Sequence, residues 1–438
     1  MSRFSSISGF LLFFILLHAV SPVIQPTTTI SSPHISNQRV KAEYVPLIPD
    51  KFSGTKNITT FVAPDNAYSI ITSYLRSAKK SIHLEVYSMS DYFLIKELYD
   101  AKARNTTMDI SIILSHNHAS VYDRNNTLGS AYNLTLSGIS VYLSNSSLYF
   151  THAKFWIIDG FTTFIYSGNW AKTAIPTETN YGNREWGIIV NDLEVSQYYE
   201  NAFAQDLNIS TAYASNPADE TEMTLNIQTG NYLPQFTTQN YVENMTLQPI
   251  FSPDNSENII RGLLQSANTS ILVQQQYIKT KWSTVTNKFL QDLIDAKNRG
   301  VKVKVIVEGR NTDDAEPLRE VLLTEGISLV YLDTRLEWCH NKGIIIDNNI
   351  TIISSINWSY QAVNYNREAG IVIYSTNITN YYKTIFDYDW QNGKLQLTIG
   401  LSLDYFPIVI LLALGGIGYY MCSAVVLKFK KSDKGRKI

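Results

Sequence analysis

Two stretches of this 438-residue chain carry a histidine, a lysine and an aspartate at one fixed spacing. They are His152-Ala153-Lys154-Phe155-Trp156-Ile157-Ile158-Asp159 and His340-Asn341-Lys342-Gly343-Ile344-Ile345-Ile346-Asp347, 188 residues apart. Each is followed by a short polar word, Tyr166-Ser167-Gly168-Asn169 or Ser354-Ser355-Ile356-Asn357, and then by Asn183-Arg184-Glu185 or Asn366-Arg367-Glu368. Two His, two Lys and two Asn brought together make a positive, donor-rich pocket with exchangeable protons, and a phosphate diester is its natural occupant. One imidazole can attack phosphorus while the other protonates the departing oxygen and then deprotonates the incoming water or alcohol. The Lys and Asn donors would hold the non-bridging oxygens as charge grows on them. A carboxylate on the far imidazole nitrogen would fix its tautomer, a role open to Glu185 and Glu368. The lysines supply the charge that a cation otherwise brings, so no metal and no cofactor is expected.

The elements that must position these residues also occur twice. Phe61-Val62-Ala63-Pro64-Asp65-Asn66 returns as Phe251-Ser252-Pro253-Asp254-Asn255, an offset close to 189 residues. In the first copy a helical pattern over 66–78 leads to apolar alternation over 82–89, then a helix with Leu94, Leu98 and Ala101, and strands over 108–114 and 139–143. The second copy runs in the same order over 259–267, 270–278, 287–298, 301–307 and 327–332. On a strand, residues two apart share a face, which puts His152 with Lys154 and His340 with Lys342. Asp159-Gly160 and Asp347-Asn348 suit tight hairpin turns into return strands that carry Ser167, Asn169, Ser355 and Asn357. Strand and helix alternate, so the expected fold is α/β, each copy a mixed sheet flanked by helices, with one active site at a pseudo-two-fold interface. The copies are placed at 51–209 and 249–395, with 210–248 as a Ser, Thr, Asn and Pro-rich connector. With both copies in one chain, a monomer is expected.

The ends read differently. Residues 1–25 hold a short apolar run behind Arg3, the layout of a signal peptide or N-terminal anchor. Pro407 to Leu427 is 21 residues without a charge, enough to cross a bilayer core of about 30 Å, so a transmembrane helix is expected over 405–427. The tail 428–438, with Lys428, Lys430, Lys431, Lys434, Arg436 and Lys437, marks the cytoplasmic side and places the bulk of the chain outside the cytoplasm. Setting aside that tail and Arg3, the whole-chain charge of −2 becomes about −8, no general attraction for polyanions. Two cysteines, Cys339 and Cys422, exclude a disulfide framework and a structural zinc site. A charged fraction of 17% with 28 Tyr points to a surface solvated by neutral polar groups, and rules out a disordered tail or basic nucleic-acid scaffold.

The paired words resemble the HKD motifs of the phospholipase D superfamily, over about 61–390. The resemblance implies a two-lobed fold with one active site, and a metal-independent ping-pong reaction through a covalent phosphohistidine. It carries the first motif onto His152, Lys154, Asp159, Ser167 and Asn169, and the second onto His340, Lys342, Asp347, Ser355 and Asn357. It also implies His152 as nucleophile and His340 as acid/base, an assignment the residues by themselves leave open. The leading Gly of the family's GSxN word is absent from both copies, where Tyr166 and Ser354 stand. Flanking words are similar to those of lysosomal membrane-anchored members that act as 5′ exonucleases, whose anchor is N-terminal.

Other residues of chemical interest take plainer roles. His116 and His118 lack companion ligands and are expected, with Arg310, at the rim of the cleft. Strand alternation turns Cys339 away from the His340 face into the core, and Trp156, Trp170 and Trp358 are expected to pack in the sheet. The substrate expected first is a phospholipid head group, because the anchor holds the cleft beside a lipid surface. An extracytoplasmic nuclease acting on nucleic acid is the alternative, and a non-catalytic phosphate-binding module the third possibility.

Overall fold

The structure is a computed structural model that describes residues 44–397, apart from 222–224 and 226. The predicted signal or anchor, the span over 405–427 and the basic tail lie outside the described residues. Among the described residues no helix is long and apolar enough to cross a membrane.

Two long antiparallel strands, Phe52–Ala63 and Gln239–Ser252, form the middle of a 16-stranded mixed sheet. Outward from the first lie Glu185–Asn191, Thr162–Tyr166, Lys154–Ile158, Ser81–Val86, Asp109–Leu114, Ser140–Leu143 and Thr211–Ala212. Outward from the second lie Glu368–Tyr374, Ile350–Ser354, Lys342–Ile346, Ser270–Gln275, Lys302–Val307, Ser328–Tyr331 and Lys394–Gln396. On each side the three strands starting with Ser81–Val86 or Ser270–Gln275 run parallel, as strands joined through helices must, while the rest are antiparallel. Strands Lys154–Ile158 and Lys342–Ile346 are buried on both faces, which fits the lack of polar residues after the leading lysine of each. Their turns have positive φ at both central residues, 56° and 67° at Asp159 and Gly160, 51° and 57° at Asp347 and Asn348, the type I′ geometry that fits strand twist.

Three cores hold the layers together. One lies under each half, built on Leu84, Trp156, Phe164 and Trp170 in the first and on Val273, Phe289, Ile344 and Trp358 in the second. The third joins the halves through Phe155, Trp186, Tyr199, Phe251, Ile345 and Tyr382. Helices Leu193–Ile209 and Thr376–Asn392 cross-link this centre: Tyr199 Oη donates to Gly370 O at 2.8 Å and Tyr382 Oη to Gly187 O at 2.6 Å.

Two expectations need correction. Residues 239–248 are strand rather than connector, because their alternation continues the apolar run at 249–252 and pairs with Phe52–Thr60. Helices Val121–Leu136 and Thr312–Thr324 were not foreseen. The first is rich in Asn, Ser and Thr and the second contains Pro317, so neither has strong intrinsic propensity, and packing of Leu128, Ala131 and Leu134 or Leu318 and Leu322 makes them helical.

Candidate active site

The two histidines sit just before their strands, where the halves exchange backbone hydrogen bonds. His152 N donates to Arg367 O at 2.7 Å and Arg367 N to Phe150 O at 2.8 Å, while Arg184 N donates to Trp338 O at 2.9 Å. This exchange crosses the carboxylates over. Glu368 of the second half accepts from Nδ1 of His152 at 2.8 Å, and Glu185 of the first half from Nδ1 of His340 at 2.6 Å. With Nδ1 as donor, Nε2 of each ring is left for the cleft. The imidazoles keep 12% and 14% exposure, whereas both glutamates are fully buried.

Each glutamate is held by two further donors. Ser167 Oγ donates to Glu185 and Ser355 Oγ to Glu368, both at 2.5 Å. Asn183 Nδ2 and Asn366 Nδ2 complete the sets at 3.3 and 2.9 Å. Lys154 Nζ donates to His152 O at 2.7 Å, and Lys342 Nζ to His340 O, with both nitrogens of the His340 ring at 3.0 and 3.2 Å. Asn169 and Asn357 line the cleft, and their Oδ1 atoms are buried without a partner.

Charge is unevenly distributed in this cleft. Burial lowers both histidines, helped at His152 by Lys154 and Lys342, and at His340 by Lys342 against the opposing pull of Glu185. Burial also lowers Lys154 strongly and Lys342 to about 8. Glu368 is pushed up to about 8 by burial, which outweighs Lys154 and its Asn366 and Ser355 donors. At Glu185 burial pushes the same way, yet the charge and hydrogen bond of His340, with Lys342, win and its pKa falls.

Both imidazoles open into one cavity of about 440 Å³, walled by Tyr87, Tyr149, Phe150 and Tyr277 with Asp123 and Lys279. A second of about 230 Å³ continues past His340 along Ala171, Thr173 and Trp338.

The aspartates of the paired words are elsewhere. Asp159 and Asp347 stand at the far ends of their strands, roughly 20 Å along the chain from the histidines. Asp159 accepts from the backbone N–H groups of Lys79, Lys80 and Ser81, and Asp347 from those of Asn268, Thr269 and Ser270. They pin the loops before Ser81–Val86 and Ser270–Gln275 and do not join the cleft. His116, His118 and Arg310 are not among the residues lining the two cavities, although His118 and Arg310 pack on Tyr87 and Trp338, which are. His116 bonds Ser144, His118 bonds Tyr87 O behind the wall, and Arg310 is held by Glu308 over the Trp338 ring. Cys339 is buried, with Sγ 3.4 Å from Gln275 O, and the three tryptophans are fully buried. Among the described residues no three His, Cys, Asp or Glu are grouped to hold a metal ion.

Two buried ion clusters behind the site escaped the sequence reading. Arg184 pairs with Asp389 at 2.9 Å and Asp65 at 3.0 Å, and Arg367 with Asp206 at 2.6 Å and Asp254 at 2.8 Å. The repeated Asn-Arg-Glu and Pro-Asp words were their signal. Tyr87, Tyr277 and Gln276 have no such signature.

A family model described as "Cardiolipin synthase, PLD-like domain" matches residues 71–207 and again 260–390. The chain belongs to the phospholipase D superfamily. Mitochondrial cardiolipin hydrolases of Xenopus tropicalis and Chlamydomonas reinhardtii are 26% identical over 110 residues and 29% over 116, in each case 25% of this chain. The chain spans about half the length of these curated relatives, 50% of each. The crystal structure of phosphatidylserine synthase from Haemophilus influenzae has the same fold, with TM-score 0.60 and 14% identity over 84% of this chain and 94% of that one. The mixed α/β sheet with its flanking helices is the fold of that neighbour.

Proposed function

We propose that the protein is a phospholipase D-like phosphodiesterase, built as two repeats around one site, that hydrolyses or transfers phospholipid head groups. The observation that carries this is the crossed pair of imidazole–carboxylate contacts opening into one cleft with two buried lysines. In this reading His152 Nε2 attacks phosphorus, and the phosphorus–oxygen bond to the leaving alcohol breaks as Nε2–H of His340 protonates it. His340 then takes a proton from water or an alcohol, whose oxygen attacks the phosphohistidine and frees His152. The ionised Glu185 beside His340 favours a second proton on that ring, which supports giving His340 the acid role. Lys154, Lys342, Asn169 and Asn357 hold the phosphate oxygens, whose charge restores that of the lysines. Asp159 and Asp347 act on the scaffold alone.

The lipid substrate is supported by the family description and by the uncharged run at 405–427, which would anchor the catalytic region at a membrane outside the cytoplasm, as a monomer. A metal-independent nuclease is the second reading, favoured by the aromatic faces of Tyr87, Tyr149, Phe150 and Tyr277 on which bases could stack. The test incubates the full-length protein, in EDTA, with phospholipid vesicles, single-stranded DNA and a bis-nitrophenyl phosphodiester, with His152→Asn as control. Head-group release from vesicles is expected; release from DNA alone moves the nuclease to first place, and silence on all three in a folded protein sinks both.

A further inference from the structure

The two buried arginine clusters each set one guanidinium between two aspartates and a tyrosine, and they differ in the residue that the neighbouring strand adds. Gln274 and Glu85 are each the fifth residue of equivalent strands, Ser270–Gln275 and Ser81–Val86. Gln274 Nε2 donates to Asp389 Oδ2 at 2.9 Å, completing the cluster of Arg184. Glu85 stands in the same place beside Asp206, which belongs to the cluster of Arg367, and has no N–H to give. Both oxygens of Glu85 and Oδ1 of Asp206 are buried without any partner. An uncharged Gln274 leaves the first cluster with two carboxylates against one guanidinium. An ionised Glu85 would put three carboxylates on Arg367, at full burial.

We infer that Glu85 keeps its proton in the folded protein, donates it to Asp206 as Gln274 donates to Asp389, and thereby positions Arg367 and the seat of His152. Among the groups that face Glu85 only Arg367 carries compensating charge, with its buried Nη2 lacking a hydrogen-bond partner, and that guanidinium is already shared by Asp206 and Asp254. The adjacent strands present Ile113 and Phe155 beside it. Helix Leu193–Ile209 presents Asp206, and the chain entering Glu368–Tyr374 presents Arg367, behind which stand Asp254 and Tyr44. On its own strand His83 is already paired with Glu200 and Asp109. Burial and the charge of Asp206 raise Glu85 well above the usual carboxylate range, against the opposing pull of Arg367. The link to the site is the backbone of Arg367, which bonds Phe150 and His152 on one side and leads into Glu368 on the other. Glu85 is thus a positioning residue that touches no substrate.

A carboxyl whose folded pKa is raised binds its proton in the native state over a range where the unfolded chain has lost it. Its contribution to stability therefore falls as pH rises from about 4.5 toward the folded value. Glu85→Gln removes that slope and leaves every other titrating group in place. The experiment compares full-length wild type with Glu85→Gln and Glu85→Leu by Tm at pH 5 and pH 8, and by the infrared carbonyl band of a protonated carboxyl. The Tm of Glu85→Gln relative to wild type is expected to rise by at least about 2 °C between the two pH values, with loss of one carboxyl band. Glu85→Leu, which offers Asp206 no donor, is expected to melt lower at both. An offset equal at pH 5 and pH 8, or an unchanged carboxyl band, overturns the protonation. The positioning role rests on the phosphodiesterase reading. It predicts that kcat/KM of Glu85→Gln, within about twofold of wild type at pH 6, rises relative to wild type toward pH 8. A flat ratio overturns that role alone. The Tm comparison needs no substrate, so its outcome is independent of whether the enzymatic reading survives.

Discussion

The His152–Glu368 and His340–Glu185 pairs use the same residue types on the same elements, yet they hold charge differently. Both glutamates are fully buried and each accepts from a histidine, a serine and an asparagine. Glu368 is nonetheless raised to about 8 while Glu185 is lowered. The difference lies in small displacements: Glu185 takes a shorter bond from its histidine, and Lys342 stands against the His340 ring where Lys154 reaches only the His152 carbonyl. In a buried site, where Coulomb interactions are strong, such shifts alter how readily each carboxylate holds its charge. Near-symmetry of sequence thus does not imply symmetry of charge.

The largest effect should come from removing either ring. His152→Asn and His340→Asn are each expected to lower turnover by about 10² to 10⁴ with Tm unchanged, because the two act as a unit; wild-type-like turnover by either would sink the two-histidine mechanism. Next come the orienting carboxylates. Glu185→Gln should cost about 10² or more in kcat, as expected when the acceptor that fixes a tautomer is lost, and Glu368→Gln, which replaces a carboxyl raised to about 8, should cost less. The crossing is read separately, by imidazole NMR: Glu368→Gln must shift the His152 resonances and Glu185→Gln those of His340, and the opposite assignment would refute it.

The arginine clusters offer a test on stability. Arg184→Met or Arg367→Met leaves two buried aspartates uncompensated and should cost about 3–5 kcal/mol by denaturant unfolding. A loss under 1 kcal/mol would mean that water reaches them. The mildest variants are Asp159→Asn and Asp347→Asn, expected to cost about 1.5–3 kcal/mol each while leaving kcat per folded molecule within a few-fold. Asp347 is lowered because its backbone N–H donors outweigh burial, so its contribution is present above the ordinary carboxylate pKa and lost as pH falls through the folded one. The gap between wild type and Asp347→Asn should therefore close below about pH 4. A tenfold loss of kcat in either variant, at full folding, would return these aspartates to the chemistry.

Much of the site was legible because its chemistry resides in residue types that recur at matched spacing. His152, His340, the lysines, Asn169, Asn357, the serines and both glutamates converge as the paired words suggest. Asp159 and Asp347 misled because a motif records what recurs together and not what touches. A five-residue strand separates each from its histidine, and their carboxylates satisfy backbone N–H groups that no sequence pattern displays. The wall residues Tyr87, Tyr149 and Tyr277 could not be selected from 28 tyrosines, since facing the cleft depends on how loops from different elements meet. Helices 121–136 and 312–324 were missed because tertiary packing overrides their weak propensity.

Sequence alone determined the duplication, the tight turns after the two strands and the set of groups able to handle a phosphate diester, because these follow from repetition, local dihedral preferences and side-chain chemistry. Tertiary structure alone decided that Glu368 serves His152 and Glu185 serves His340, that Arg184 and Arg367 lock the two halves, and that Glu85 and Gln274 occupy equivalent places. Those contacts join residues more than a hundred positions apart, and only the meeting of the two halves around the Phe52–Ala63 and Gln239–Ser252 pair brings them into reach.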